Sequence, residues 1–333
     1  VEVSREKIAS FLNINPKRLI FTSGATEANN LALTGHARAK AKLTGKTGHI
    51  ITVSTEHHAV LDPLRKLQNE GFRLTELQPS KDGLINIDQL EEAYEKDTFL
   101  TSVMAANNEI GVLQPISEVG CFCKSKGIAF HTDAAQAFGY VDLDPDKYFI
   151  DLMSLSAHKI YGPKGIGALV MREGLPLEPS QYGGGQELGL RSGTLPVPLI
   201  VGFAKAVEIT KNDQDERNKR LLYFRNLLCS GLKKNISGLI INGSIDNRLP
   251  HNLNITFPGV NGTRLHSQLR RFIFCTSGSA CSNGEPSHVL QEIGLCKRDA
   301  EASIRMSIGR NTTQKDIQKA IKIITDIVIN INK

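Results

Sequence analysis

Apolar residues come along this chain in short β-prone runs, at Leu19–Thr22, Ile50–Val53, Leu74–Leu77, Leu100–Met104, Ile128–Thr132, Leu152–Leu155 and Gly167–Met171. Between them lie longer stretches of helical character, Glu27–Lys42, Ala59–Glu70, Ile87–Glu95 and Ile116–Lys126. Strands alternating with helices predict an α/β domain on a mostly parallel sheet. Beyond Leu199 the character changes. A charge-rich helix is expected over Lys211–Lys234, short strands at Leu239–Ile241 and Leu253–Phe257, and a strand-like alternation over Ser303–Ile308. Ile317, Ile321, Ile324, Val328 and Ile331 recur four and three apart, one buried stripe on a closing helix. The expected division is a large α/β domain, residues 1–210, and a smaller α+β domain, residues 211–333.

Ligands of open parallel sheets gather beyond the carboxyl ends of the strands. The residues that follow each run are therefore the candidates for chemistry. After Leu19–Thr22 come Ser23, Gly24, Ala25, Thr26 and Glu27, a helix start whose free N–H groups can hold a phosphate, or simply an N-cap at Thr26. After Ile50–Val53 comes Thr55-Glu56-His57-His58, where an imidazole can stack on a flat ring and transfer protons, so that His57 is a catalytic candidate, although a lone His pair is more often a loop or metal coincidence. Asn107-Asn108-Glu109 follows the fourth run, and His131-Thr132-Asp133-Ala-Ala-Gln136 closes the fifth. A carboxylate at Asp133 among apolar and small residues is costly unless it meets a cation; a protonated pyridine nitrogen is one, and an N-cap role competes. Ser154-Leu-Ser156-Ala-His158-Lys159 lies between two probable strands, where desolvation suits a lysine to Schiff-base chemistry. A lone lysine beside a Gly-Pro turn is usually a surface residue, but the surrounding clusters weigh against that here. Lys159 is read as the anchor of pyridoxal phosphate.

Two further stretches carry chemistry. Tyr182-Gly-Gly-Gly185 through Arg191-Ser192-Gly193-Thr194 is expected to be an exposed loop able to approach an anion. Thr276 through His288 is a run of small and turn-forming residues around Cys281, where a nucleophilic thiol could reach both a substrate and a partner. Arg305, on the polar face of its strand, suits bidentate binding of a carboxylate.

Composition narrows the class. The chain has 333 residues, 22% of them charged, with formal net charge +6. The positive charges are scattered and no aromatic array accompanies them, so no nucleic acid is expected. The two basic clusters, around Arg38–Lys46 and at Arg270-Arg271, are expected to be solvated faces. No apolar run is long enough for a bilayer. Six cysteines in so long a chain make no disulfide framework and fit a reducing compartment. Cys121-x-Cys123 is too closely spaced for a usual zinc knuckle; no metal is expected, and both are expected to be half-buried thiols. A cytoplasmic location is expected, with an organellar matrix left open because the chain does not begin with Met.

In combination and in order, these stretches resemble one family. Ser-Gly-Ala-Thr-Glu, Thr-Glu-His, Asn-Asn-Glu-Ile-Gly, His-x-Asp-Ala-x-Gln, Ser-x-His-Lys-Ile-Tyr-Gly-Pro-Lys-Gly, Arg-Ser-Gly-Thr and Ser-Gly-Ser-Ala-Cys are similar to those of cysteine desulfurases of the IscS/NifS type. These are pyridoxal-phosphate enzymes of aminotransferase class V, and the likeness covers essentially the whole chain. It implies the PLP-dependent transferase fold type I, with the catalytic cysteine loop on the small domain. Lys159 would form the Schiff base and act as base at Cα. Asp133 would pair with the pyridinium, Gln136 would bond the ring oxygen, and His57 would stack on the ring. Ala25, Thr26, Ser156 and His158 would hold the phosphate, joined by Thr194 from the second subunit of a homodimer. Asn108 and Arg305 would meet the substrate carboxylate, Asn108 lying against the cofactor as well, and Cys281 would be the nucleophile. The implied reaction converts L-cysteine to L-alanine, leaving a persulfide on Cys281 for an iron–sulfur scaffold or a sulfur carrier.

The family's opening segment is lacking, Ala157 stands where glycine is common, and the segment after Cys281 is shorter than in many relatives. Ser-Gly-Ser-Ala-Cys points away from the SufS-like branch. Rival expectations are a cysteine or cystine lyase, which needs no Cys281, a non-catalytic scaffold partner and, less favoured, a selenocysteine lyase.

Overall fold

The computed structural model describes residues 1–273 and 286–331. Two compact units are present: Val1–Leu77, Ile85–Ala106 and Gln114–Asp213 form the first, and Gln78–Leu84, Asn107–Leu113 and Gln214–Lys333 the second.

All seven apolar runs are strands of one sheet: β1 (Leu19–Thr22), β2 (His49–Val53), β3 (Arg73–Leu77), β4 (Thr98–Ser102), β5 (Ala129–Asp133), β6 (Leu152–Ser156) and β7 (Gly167–Met171). Their order is β1-β7-β6-β5-β4-β2-β3. Only β7 runs against its neighbours; the other pairings are parallel. The parallel strands β2, β4, β5 and β6 are buried throughout, which is why they read as continuous apolar runs without alternation. The fourth run was expected to reach Met104, but its strand ends at Ser102. Residues 103–106 are apolar because they are buried, and they track β5 through single bonds, Val103 N–H to the His131 carbonyl and Ala105 N–H to that of Asp133.

The helices are α1 (Glu2–Phe11), α2 (Ala25–Thr44), α3 (His58–Gln68), α4 (Ile87–Ala93), α5 (Ile116–Lys126) and α6 (Val197–Asn235), then α7 (Gly262–Leu269), α8 (His288–Glu292), α9 (Lys297–Glu301) and α10 (Gln314–Ile331). Leu31 and Leu33 of α2 and Val60, Leu64 and Leu67 of α3 share one core with Ile20, Ile50, Leu100, Leu152 and Leu169 of the sheet. Each such side chain contributes about 1.5–3 kcal/mol on burial. Helix α6 begins well before the expected Lys211. Ile200, Phe203, Ala204 and Val207 already form a buried face at three- and four-residue spacing, ahead of the charged part.

In the second unit β8 (Ile240–Ile241), β9 (Asn252–Thr256) and β10 (Ser303–Ser307) form an antiparallel sheet of order β10-β9-β8. Cys121 is exposed and Cys123 buried, so neither is the half-buried thiol expected. Two residues apart on α5 they point to different faces.

Candidate active site

The residues that follow the strands leave one edge of the large sheet. Thr22 pairs with Gly167, and Gly167 with Ser156, so the chain departs from β1 and from β6 along one line. Glycine at 167 makes this possible. A Cβ there would stand 2.4 Å from the Leu155 carbonyl oxygen and 2.7 Å from Gly24 Cα.

From Thr22 the chain turns directly into α2, with Gly24 as N-cap, Ala25 half-buried and Thr26 exposed. The first N–H groups of a helix have no intrahelical partners and lie at the positive end of its dipole, which suits an anion. Glu27 accepts the Ser23 N–H at 2.7 Å and pairs with Arg191 at 2.8 Å. Burial pushes the Glu27 carboxyl up, but Arg191 and Ser23 together hold it below its usual range. The same pair ties the glycine-rich stretch to α2, and within that stretch Gly193 N–H bonds Gln186 at 2.9 Å. The stretch is less free than expected. Glu187 within it is buried, pairs with Arg5 at 2.7 Å and accepts the Phe21 N–H at 2.6 Å. Thr194, at its end, is exposed.

Asp133 closes β5 and is buried. Its Oδ2 accepts the Asn29 Nδ2–H at 2.7 Å and its Oδ1 the Ala135 N–H at 2.9 Å. A cation partner was expected; among the described residues the partners are an amide side chain and a backbone N–H, and no ion pair reaches the carboxylate. Gln136 is half-buried in the turn that follows. Beneath the site His131 spans three strands, its ring nitrogens 2.8 Å from Ser102 Oγ and 3.1 Å from Ser154 Oγ. Burial pulls its pKa down to about 3, so it is a neutral imidazole. Glu56 is also fully buried and accepts the Met104 N–H. Burial pushes its carboxyl well above the usual range; the Met104 bond opposes this and the charge of Asp133 adds to it. Next to it His57 caps α3, accepting the Ala59 N–H on Nδ1 at 3.0 Å, so the neutral ring carries its proton on Nε2.

Strand β6 ends at Ser156, and a 3₁₀ turn, Ala157–Ile160, carries the half-buried Lys159. Ser156 Oγ lies 2.8 Å from His158 Nδ1. Partial burial, and then the charges of Lys159 and Lys164, lower the His158 pKa. Tyr161 ends the turn with φ of 67° and Gly162 N–H returns to the Ala157 carbonyl at 2.9 Å.

Two predicted residues among the described ones, Asn108 and Arg305, belong to the second unit. Arg305 on β10 donates from Nη1 to the Asn108 carbonyl at 3.1 Å. Burial lowers its pKa and the charge of Glu109 works the other way. The Asn108 Oδ1 is buried with no hydrogen-bond partner among the described residues. Cys281 lies outside the described residues.

The first unit fits pyridoxal phosphate. A buried Asp133 carboxylate that meets no cation among the described residues, a helix start beside a glycine contact at Gly167, and a lysine on the turn between them suit the ring nitrogen, phosphate and aldehyde of that group. Asn29 was not singled out in the sequence, and Glu56 and His131 figured there only as members of their motifs, without roles of their own. Asn29 alone left a signal: a polar residue on the apolar face of α2, beside Ala28 and Ala32, needs a buried partner.

Residues 1–320 match the aminotransferase class-V family. A protein named cysteine desulfurase IscS from Vibrio vulnificus (strain YJ016) is 49% identical over 326 residues, 97% of this chain and 80% of its own length. One of the same name from Dechloromonas aromatica (strain RCB) is 47% identical over 328 residues, with the same coverage. Among solved structures, a NifS-like protein superposes with a TM-score of 0.91 at 36% identity, covering 99% of this chain and 87% of its own. SspA in complex with cysteine gives 0.79 at 40% identity, covering 92% and 86%.

Proposed function

The chain belongs to the aminotransferase class-V family, and we infer from that membership and from its site that it is a pyridoxal-phosphate-dependent cysteine desulfurase. It converts L-cysteine to L-alanine and takes the sulfur onto Cys281. The observation that carries this is the buried Asp133 carboxylate, held by Asn29 and Ala135 with no cation beside it among the described residues, in a chain so similar to cysteine desulfurases.

When bound, pyridoxal phosphate supplies an aldehyde for the substrate amine and a ring that accepts electrons from Cα. Asp133 would pair with the ring nitrogen and favour its protonated form, and Asn29 would keep the carboxylate oriented. His57 would stack on the ring, and Gln136 would bond the ring oxygen. Ala25, Thr26, Ser156 and His158 hold the phosphate, and Thr194 of a second copy in a homodimer completes the set. Lys159 would anchor the group, and its Nζ would take the substrate Cα proton. Asn108, beside the cofactor, and Arg305 hold the substrate carboxylate. Cys281 attacks as thiolate: its S–S bond to the substrate sulfur forms as the substrate C–S bond breaks, and alanine leaves after protonation. The persulfide passes to an iron–sulfur scaffold or a sulfur carrier. Residues 1–210 do the cofactor work and 211–333 accept the sulfur. No helix among the described residues is long and apolar enough to cross a membrane, consistent with work in the cytoplasm or a matrix.

Product analysis with L-cysteine tests the assignment. The intact protein is expected to release alanine, with a persulfide mapped to Cys281, and the Cys281→Ser variant to release none. Pyruvate and sulfide from both proteins would mean a lyase, and Cys281 a bystander.

A further inference from the structure

The segment Asn107–Leu113 carries a group that this reaction leaves unused. Glu109 is fully buried. Its Oε2 accepts the Ser287 hydroxyl, and its Oε1 has no partner among the described residues. A buried carboxylate is costly unless it serves something.

The backbone around it is fixed from several sides. Asn107 Oδ1 accepts the N–H groups of Glu109 at 2.8 Å and Ile110 at 3.0 Å. Gly111 closes the turn at φ of 72°, where an added Cβ would stand 2.5 Å from the Asn252 side chain. The Glu109 carbonyl takes the side-chain amides of Asn252 and Asn254, at 3.2 and 3.1 Å, from β9. Ile110 and Val112 pack with Val289, Leu290, Ile293 and Ala300 in one apolar cluster. Ser287 caps α8, its Oγ accepting the Leu290 N–H at 3.1 Å while its proton goes to Glu109. Serine alone would suffice for a cap. The carboxylate is additional.

What it holds is telling. Pro286 and Ser287 are the first described residues after 274–285, the stretch that contains Cys281. Glu109 also follows Asn108, whose carbonyl receives Arg305. We propose that Glu109 is a positioning residue for desulfuration: by clasping Ser287 it fixes where the Cys281-bearing stretch ends. This rests on the proposed function above.

The test uses the full chain with cofactor and the variants Glu109→Gln, Ser287→Ala, Ser287→Thr and the double variant of the first two. Single-turnover persulfide formation on Cys281, KM for L-cysteine and unfolding midpoints are measured together. Ser287→Ala and Glu109→Gln are expected to slow persulfide formation by about tenfold, the loss of one hydrogen bond to a charged group. KM should stay within about twofold in both variants, because the clasp touches no group assigned to the substrate. Ser287→Thr should restore the rate, and the double variant should be no slower than Glu109→Gln, because both changes break one contact. Wild-type rates in the variants, or losses that multiply in the double variant, would overturn the proposal. So would a loss that only tracks the unfolded fraction. If the wild-type protein itself forms no persulfide, the functional reading fails separately. Hydrogen exchange at the Leu290 amide then decides the clasp: faster exchange in both variants supports it, and unchanged exchange overturns it.

Discussion

At the scale of single residues, the site rests on polar groups whose protonation is fixed by burial. His131 is the clearest. Its folded pKa of about 3 lies below the ordinary 6.5, so below pH 6.5 the unfolded chain binds a proton that the folded chain refuses. Its contribution is therefore fully present above pH 6.5 and is lost as the pH falls toward 3. Replacing His131 by Gln, which can still bond Ser102 and Ser154, should remove that dependence. The wild-type and variant stability curves are expected to run parallel above pH 6.5 and to converge below it by about 1.4 kcal/mol per pH unit. Denaturant midpoints over that range measure this; curves parallel throughout would mean that folded His131 does accept a proton. The positions of Lys159 and Asp133 were legible in the sequence because each sits among small or turn-forming neighbours at the end of a strand. His131, Glu56 and Glu109 were not assigned roles. Their meaning lies in partners such as Ser102, Met104 and Ser287, which stand beside them only in the folded chain.

At the scale of elements, one tight contact joins β7 to the entry of α2. The Gly167→Ala methyl would meet backbone atoms on both sides, the Leu155 carbonyl and Gly24 Cα, and backbone cannot swing aside as a side-chain tip can. A loss of about 1–3 kcal/mol of stability is expected, in the range of overpacked sites. Because Gly24 leads into the proposed phosphate seat, cofactor affinity should fall as well. A urea midpoint and an absorbance titration with pyridoxal phosphate read the two effects. If both stay at wild-type values, β7 can withdraw from Gly24 without consequence. The strands themselves were legible because a parallel sheet covered on both faces demands unbroken apolar runs. The start of α6 was not. The charged residues from Lys211 onward marked the helix, while the short apolar spacing of Ile200, Phe203 and Val207 ahead of them did not stand out.

At the scale of the molecule, the residues assigned to the cofactor fall unevenly. All but Asn108 belong to the first unit, on segments leaving β1, β2, β5 and β6 and on the stretch before α6. A ligand that binds only the folded state stabilises it by about 2.7 kcal/mol at a hundredfold excess over its dissociation constant. That free energy is delivered where the ligand touches, so it should slow local opening there first. Amide hydrogen exchange with and without pyridoxal phosphate should therefore slow most at the start of α2, at residues 134–136 and at the 157–160 turn. The amides of β9 and β10 should change much less. Equal slowing in both units would mean that they open only together, and cofactor removal would then destabilise the small sheet as much as the large one. Slowing confined to β9 and β10 would instead contradict the assignment of Asp133 and Lys159 as the groups that hold the cofactor.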